Sequence, residues 1–338
     1  MNLVTGAAGH LGNVLVRELL QSNEKVRALI LPGEDISSLE GLDIEMMEGD
    51  ILNKEDIHRA CEGVDFVYHM AALVAITQDK EHLLRRVNVD GTRNVIEAVL
   101  NKGVKRMIYT SSIHALERPP DGITISEHLH FNPNNPSGAY DRTKAEASLV
   151  VLEAVKNQGL DAVIVCPTGV IGPFDFKRSE MGEMILTWMK RKPSISMQGR
   201  FDFVDVRDVA KGHILAKEKG ISGETYLISG EHVEISSVRQ WVQSVVGIKT
   251  HEIKFSAPIA YLVAPLAEFY YRITKTRPKF TRYSVETLQS NSKISSEKAE
   301  KDLGYHHRNF MITIKDTVQW WVKNLTKTKS TLRTNKNA

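Results

Sequence analysis

The sequence predicts an α/β protein: a doubly wound parallel sheet with a smaller, mostly helical C-terminal substrate region. Three observations carry this. Short β-branched, apolar runs alternate with helical patterns through the first half of the chain. The apolar runs are continuous, as expected of strands covered on both faces by helices. And a glycine-rich turn, Thr5-Gly6-Ala7-Ala8-Gly9-His10-Leu11-Gly12, joins the first run to the first helical pattern.

Taken in order, strands are expected at 2–4, 25–31, 44–48, 66–70, 106–111 and 162–166, with helices at 11–20, 54–61, 83–100 and 140–155. After Pro167 the rhythm loosens. Helices at 181–190, 208–217, 237–246 and 314–323 are separated by short strand-like pieces at 201–206 and 225–228. No internal repeat is visible.

At 338 residues the chain can bury a sizeable core, as one large domain or two of ordinary size. Its formal charge of +3 is small and partly concentrated in the basic stretch 323–336. Without a basic stripe, no nucleic-acid partner is expected. Cys61 and Cys166 lie far apart and outside any metal-ligand spacing, which predicts no disulfide framework, no metal site and a reducing cytoplasmic setting. Met1-Asn2-Leu3-Val4 runs straight into the glycine turn, a pattern unlike a signal peptide. The most apolar stretch, 257–271, falls short of the roughly 20 residues that span a bilayer, and Pro258, Pro265 and Glu268 interrupt it. A helix covering a pocket is expected there, with attachment to a membrane surface as the alternative.

The glycine turn has the form that accepts a dinucleotide. Gly6 allows the tight turn, Gly9 lets the backbone approach a pyrophosphate, and Gly12 lets the helix pack on the strand. Position at the first strand–helix junction of a long alternating series is what separates this pattern from a chance glycine cluster. The second strand ends in Ile30-Leu31-Pro32, which offers neither the acidic residue that binds ribose hydroxyls nor an arginine for a 2′-phosphate. Glu34 and Asp35 just beyond would repel a phosphate, a slight lean to NAD over NADP. Arg27 is a candidate phosphate partner or an exposed strand arginine. Asp50, in Gly49-Asp50-Ile51, either accepts from an adenine amino group or serves as a turn or cap residue.

Tyr140-Asp141-Arg142-Thr143-Lys144 begins a strongly helical stretch, so Tyr140 and Lys144 share one helix face. A free tyrosine has a pKa of about 10. A nearby ammonium and an oxidised nicotinamide both favour its phenolate, so Tyr140 could act as acid or base at a carbonyl or hydroxyl. Tyr109-Thr110-Ser111-Ser112 ends the fifth strand, where hydroxyls face the ligand crevice. Ser112 would hold the substrate oxygen, while Ser111 would bond locally to backbone. His114, two residues on, is either a pocket residue or a structural hydrogen-bonder.

With these residues in place, the chain resembles the extended short-chain dehydrogenase/reductase family over nearly its whole length. Thr5–Gly12, Ala71-Ala72 after the fourth strand, the serine at strand five and the Tyr140–Lys144 pair match that family's pattern in order and spacing. The resemblance implies a Rossmann-type domain over 1–167, to which part of 200–230 returns, a substrate region over 168–325 and a disordered basic tail over 326–338. It implies a cofactor site of Gly6, Gly9, His10, Leu11, Gly12, Asp50, Ile51, Ala71, Ala72, Lys144 and Pro167. It also implies substrate-side roles for Asn88 and Thr168, and makes a homodimer plausible. Asn88 reads equally as a helix-buried polar residue bonded to backbone.

Cys166-Pro167-Thr168-Gly169-Val170-Ile171-Gly172-Pro173 and Phe203-Val204-Asp205-Val206-Arg207-Asp208-Val209-Ala210 are similar to the dihydroflavonol-4-reductase-like branch, which borders the 3β-hydroxysteroid dehydrogenases. That implies an oxidoreductase interconverting a ketone and a secondary alcohol on a small, apolar or ring-containing substrate. Cys166 and Leu31 depart from arginines common in the branch. Two other readings stay open. A nucleotide-sugar epimerase of the same family would need cations for a diphosphate, for which Lys177, Arg178 and Arg200 are candidates. Dehydration is disfavoured because Ser112-Ile113-His114-Ala115 lacks the family's Thr-Asp-Glu set. A non-catalytic cofactor-sensing protein would typically lack the tyrosine or the lysine.

Overall fold

The computed structural model describes residues 1–74, 80–120, 122–197, 199–274, 281–289 and 293–334. The first half runs β1 (Asn2–Thr5), α1 (His10–Gln21), β2 (Val26–Ile30), β3 (Glu45–Glu48), α2 (Lys54–Ala60), β4 (Phe66–His69), α3 (Glu81–Arg85), α4 (Gly91–Asn101), β5 (Arg106–Thr110), α5 (Ala139–Gln158) and β6 (Ala162–Pro167). There follow β7 (Gly169–Ile171), α6 (Glu180–Trp188), β8 (Ser194–Met197), β9 (Arg200–Asp205), α7 (Val206–Lys219), β10 (Thr225–Ile228), β11 (Glu231–Glu234) and α8 (Ile235–Val246). The C-terminal part holds β12 (Glu252–Phe255), α9 (Ala257–Thr274), α10 (Arg282–Gln289), α11 (Glu297–Leu303) and α12 (Phe310–Thr334).

Seven strands form the main sheet in the order β3-β2-β1-β4-β5-β6-β10, every neighbouring pair parallel. Every residue of β1 and β6 is buried, which is why they read as continuous apolar runs. The edge strand β3 instead shows Glu45, Met46 and Glu48 to solvent, with charges that discourage pairing with another chain. Strand order reverses between β1 and β4. In a doubly wound sheet that reversal opens a crevice at the strands' carboxyl ends, where ligands bind.

The second half is laced into the first. β10 extends the main sheet beside β6, and α7 packs along α1. β7, β9 and β11 make a separate small sheet, and β8 pairs with β12. These added strands have three or four residues each apart from β9, too few for a two-residue period to show in the sequence. An aromatic core closes this region: Phe203 stacks on Phe310 with centroids 5.7 Å apart, and Trp241 meets Phe310 edge-on.

Two elements differ from expectation. The single helix expected over 83–100 is α3 and α4 joined by a wide, π-helical turn, Arg86–Asp90. And α12 continues to Thr334, so 326–334 are helical where the sequence predicts a disordered tail; the stretch is polar but contains no Gly or Pro to stop a helix. No helix of the described residues is long and apolar enough to cross a membrane.

Candidate active site

The glycine turn lies at the sheet's reversal point. Gly6 has φ +69°, and a Cβ there would come within 2.8 Å of Ala71 N; at Gly12 a Cβ would lie 2.2 Å from Gly6 O. Neither position admits a side chain: the first makes the turn and the second seats α1 against it. Gly9 is the N-cap of α1, which has no side-chain cap and no acidic residue in its first turn. The first-turn N–H groups and the helix dipole are thus left for an external anion, as a pyrophosphate site requires. The His10 ring donates to Pro173 O at 3.0 Å, and Leu11 packs toward the core. Both can serve a pyrophosphate only through backbone.

Thr5 holds the opposite wall. Its Oγ1 accepts from Met70 N and Ala71 N at 3.2 and 3.1 Å, which fixes Ala71 beside Gly6, with Ala72 exposed beyond it. Asp50 forms a turn: its Oδ1 accepts from Leu52 N at 2.9 Å while Asn53 caps α2. Ile51 is buried in the core and would touch a Cβ on Gly91, leaving only its backbone for a ligand. Pro167 ends β6, buried beside Ile228 of β10. Arg27 is no phosphate partner here, because Glu45 and the carbonyls of Ala60 and Glu62 hold its guanidinium.

Ser112, Tyr140 and Lys144 meet at the carboxyl end of β5. Ser112 is buried, accepts from His114 N at 3.2 Å and lies close enough to the Tyr140 hydroxyl to act on its titration. Burial raises the Tyr140 pKa above its ordinary value, the Asp141 charge adds to this, and the nearby Ser112 hydroxyl opposes it. One turn further along α5, Lys144 reaches inward. Its Nζ donates to Tyr109 Oη at 3.0 Å and to Thr110 O at 2.5 Å, and sits 4.4 Å from the centroid of the Tyr109 ring. Burial pushes its pKa down to about 7. Ser111 bonds a side chain, not backbone: its Oγ lies 2.7 Å from Ser148 Oγ, which in turn donates to Lys144 O.

Below this trio lies a buried polar string. Thr92 Oγ1 donates to Asn88 O, so it accepts from His69 Nε2, and His69 Nδ1 then accepts from Thr5 Oγ1. A neutral His69 follows, in accord with burial pushing its pKa down to about 3. Asn88 is a buried polar residue bonded to backbone, one of the two roles expected of it. Its amide donates to Leu73 O and to Thr143 Oγ1, both at 3.1 Å, and its Oδ1 accepts from Leu73 N at 2.8 Å. Through Thr143 it braces the helix carrying Lys144.

His114 lies between two aromatic rings, stacked on Phe201 with centroids 6.0 Å apart and tilted 6.4 Å from Tyr283. Burial lowers its pKa, which favours the neutral ring. Thr168 lies near the buried Asp202 carboxylate, its own hydroxyl is buried without a hydrogen-bond partner, and its N–H donates to Ile228 O. Cys166 is buried next to Ser111, with its thiol pushed up to about 12, so it forms a neutral wall.

Sequence reasoning missed Tyr109, Arg118, Phe201 and Tyr283. Arg118 and Tyr283 converge on Asp141, which is fully buried behind Tyr140, and Tyr283 comes from α10, 142 residues on. No local spacing could have signalled that pairing. Of the cations considered for a nucleotide diphosphate, Lys177 pairs with Glu34, Arg178 lies 3.7 Å from Glu183, and Arg200 lies 3.6 Å from Glu234.

Known proteins share this fold and sequence. The model of the NAD dependent epimerase/dehydratase family matches residues 2–229. The chain is 38% identical over 324 residues to sterol demethylase protein B of Methylococcus capsulatus, covering 94% of this chain and 97% of the relative. It is 30% identical over 330 residues to a putative dihydroflavonol 4-reductase of Synechocystis, covering 94% and 93%. Among solved structures, that of gox2253 superposes with a TM-score of 0.83 at 31% identity, covering 96% of this chain and 98% of that one.

Proposed function

From the premise that the chain belongs to the NAD dependent epimerase/dehydratase family, as an NAD(P)-dependent oxidoreductase, we propose that it interconverts a ketone and a secondary alcohol on an apolar, ring-bearing substrate of the sterol class. The single observation that carries this is the gathering of Ser112, Tyr140 and Lys144 at the carboxyl end of β5, with the buried Lys144 ammonium held there by Tyr109 and Thr110.

The cofactor, when bound, supplies or takes up the hydride at the substrate carbon. The residues of the chain do the rest. Ser112 donates to the substrate oxygen and orients it. Tyr140 transfers the proton to or from that oxygen, and in the reducing direction is left as phenolate. Burial disfavours that phenolate, so a cation nearby must offset the cost, which is the role assigned to Lys144. In the oxidising direction the same groups run in reverse. His114, Phe201 and Tyr283 supply an aromatic wall suited to flat apolar rings.

Support for the substrate class comes from the relative named for sterol demethylation and from the apolar wall. The epimerase reading is weaker, because each of the three candidate cations already faces a carboxylate. Cofactor sensing without turnover is weaker still, since the tyrosine and lysine are both retained and both sit with the serine at the end of β5. We place the protein in the cytoplasm, where its two buried, free thiols would stay reduced. The test is turnover of NADH and NADPH with a panel of 3-ketosteroids and small ketones. Tyr140→Phe should lower kcat by at least about a hundredfold while leaving dinucleotide binding intact. Full turnover in that variant would refute the assignment.

A further inference from the structure

Helix α9 is built inside out. Among its described side chains, the buried ones are the small residues Ala260 and Ala264, which share a cluster with Val285 of α10. Its large aliphatic side chains face outward: Ile259 is 49% exposed, Leu262 78%, Leu266 70% and Ile273 65%. At 3.6 residues per turn these four positions fall within about 60° of arc, one continuous stripe. A surface helix committed to water would put the leucines in and the alanines out. This stripe therefore lacks the apolar neighbour its side chains call for.

The sequence around it tells what kind of neighbour. Arg272, Lys275, Arg277, Lys279 and Arg282 follow within eleven residues, and no acidic residue occurs from 269 through 285. Positions 275–280 lie outside the described residues, so their charge is read from sequence alone. Arg282 is exposed and bonds Glu286. An exposed aliphatic stripe continued by a cationic stretch is the pattern of a helix that lies in the surface of an anionic membrane. A second copy of the chain is a poorer occupant. A two-fold interface would apply the same stripe to itself and leave the cationic stretch without an anionic neighbour.

The stripe also connects to the active site. α9 packs on α10, and α10 supplies Tyr283, which bonds Asp141 beside Tyr140. We propose that α9 docks this protein on an anionic lipid surface, with Ile259, Leu262, Leu266 and Ile273 inserted among the acyl chains. Entry of an apolar substrate along the α9–α10 pair from the membrane is a corollary, and it rests on the substrate class proposed above. The docking itself does not.

Flotation of the purified full chain with vesicles tests the docking without any substrate. Vesicles of phosphatidylcholine enriched in phosphatidylserine should carry the protein upward, and pure phosphatidylcholine vesicles should carry about tenfold less. The variant Leu262→Ser/Leu266→Ser should lose flotation by about tenfold or more, because it removes the two most exposed aliphatic groups. Its NADH binding should stay at wild-type strength, which shows the fold intact. Failure of the wild type to float with anionic vesicles overturns the proposal, as does undiminished flotation of the variant. A wild-type dimer that the same variant turns into a monomer by light scattering also overturns it, and assigns the stripe to a second copy. Absence of ketone turnover would count against the proposed function and leave this result standing.

Discussion

The Tyr283 hydroxyl donates to the Asp141 carboxylate at 2.8 Å, and so joins α10 to the first turn of the helix that carries Tyr140 and Lys144. Arg118 donates to the other oxygen at 2.9 Å. A carboxylate with no solvent exposure needs such partners, and removing one leaves a buried charge short of hydrogen bonds. The Asp141 charge also acts on Tyr140, raising its pKa. Tyr283→Phe should therefore destabilise the protein by about 1–3 kcal/mol, as lost charged hydrogen bonds do. It should also shift the pH profile of kcat upward, because Asp141 with one donor fewer acts more strongly on Tyr140. Urea unfolding and a pH series check both. Wild-type values in each would show that the contact is incidental.

Lys144 gives the folded state a distinctive pH dependence. Burial lowers its pKa to about 7, whereas in the unfolded chain it titrates near 10.4. Between those values the unfolded state holds more protons than the folded one, so stability rises with pH across the window. Below the folded value the buried cation is present and its full cost is felt. From pH 7 to 9 the gain should be on the order of 2 kcal/mol in protein free of dinucleotide. Lys144→Met should flatten that slope. Urea midpoints of both proteins at several pH values decide it, and parallel slopes would mean that the ammonium is better solvated than its 2% exposure suggests.

What could be read from sequence and what could not divide along a physical line. Strands β1, β2, β4, β5 and β6 were legible because their side chains are buried on both faces and form continuous runs. Gly6 and Gly12 were legible because backbone contacts under 3 Å admit no other residue. Tyr140 and Lys144 were legible because helix geometry ties a spacing of four to a shared face. Asn88's two roles could not be told apart from sequence, because its partners Leu73 and Thr143 meet it only in the folded chain, at a π-helical turn that has no sequence signature. Tyr283 and Arg118 escaped because tertiary contact alone joins them to Asp141. The outward leucines of α9 were seen as an apolar run, but only the packing of Ala260 and Ala264 reveals which way the run faces.

Cofactor choice turns on Glu34. It lies beyond the end of β2, with Oε2 accepting from Leu31 N at 3.0 Å and Oε1 paired with Lys177 from the loop after β7. A carboxylate at this end of the sheet would repel the 2′-phosphate of NADP, and while the pair holds, the lysine has no free charge to offer one. Wild-type protein should therefore bind NADH more tightly than NADPH. Glu34→Ala removes the repulsion and releases Lys177 together, so the ratio of the two Kd values should move toward NADPH by about five- to tenfold. Adding Lys177→Ala to that variant should reverse much of the shift, because the freed cation is gone. Titration following nicotinamide fluorescence measures all three proteins. A ratio unmoved by Glu34→Ala would show that the adenosine ribose lies away from Glu34, and that another part of the β2 end sets the preference.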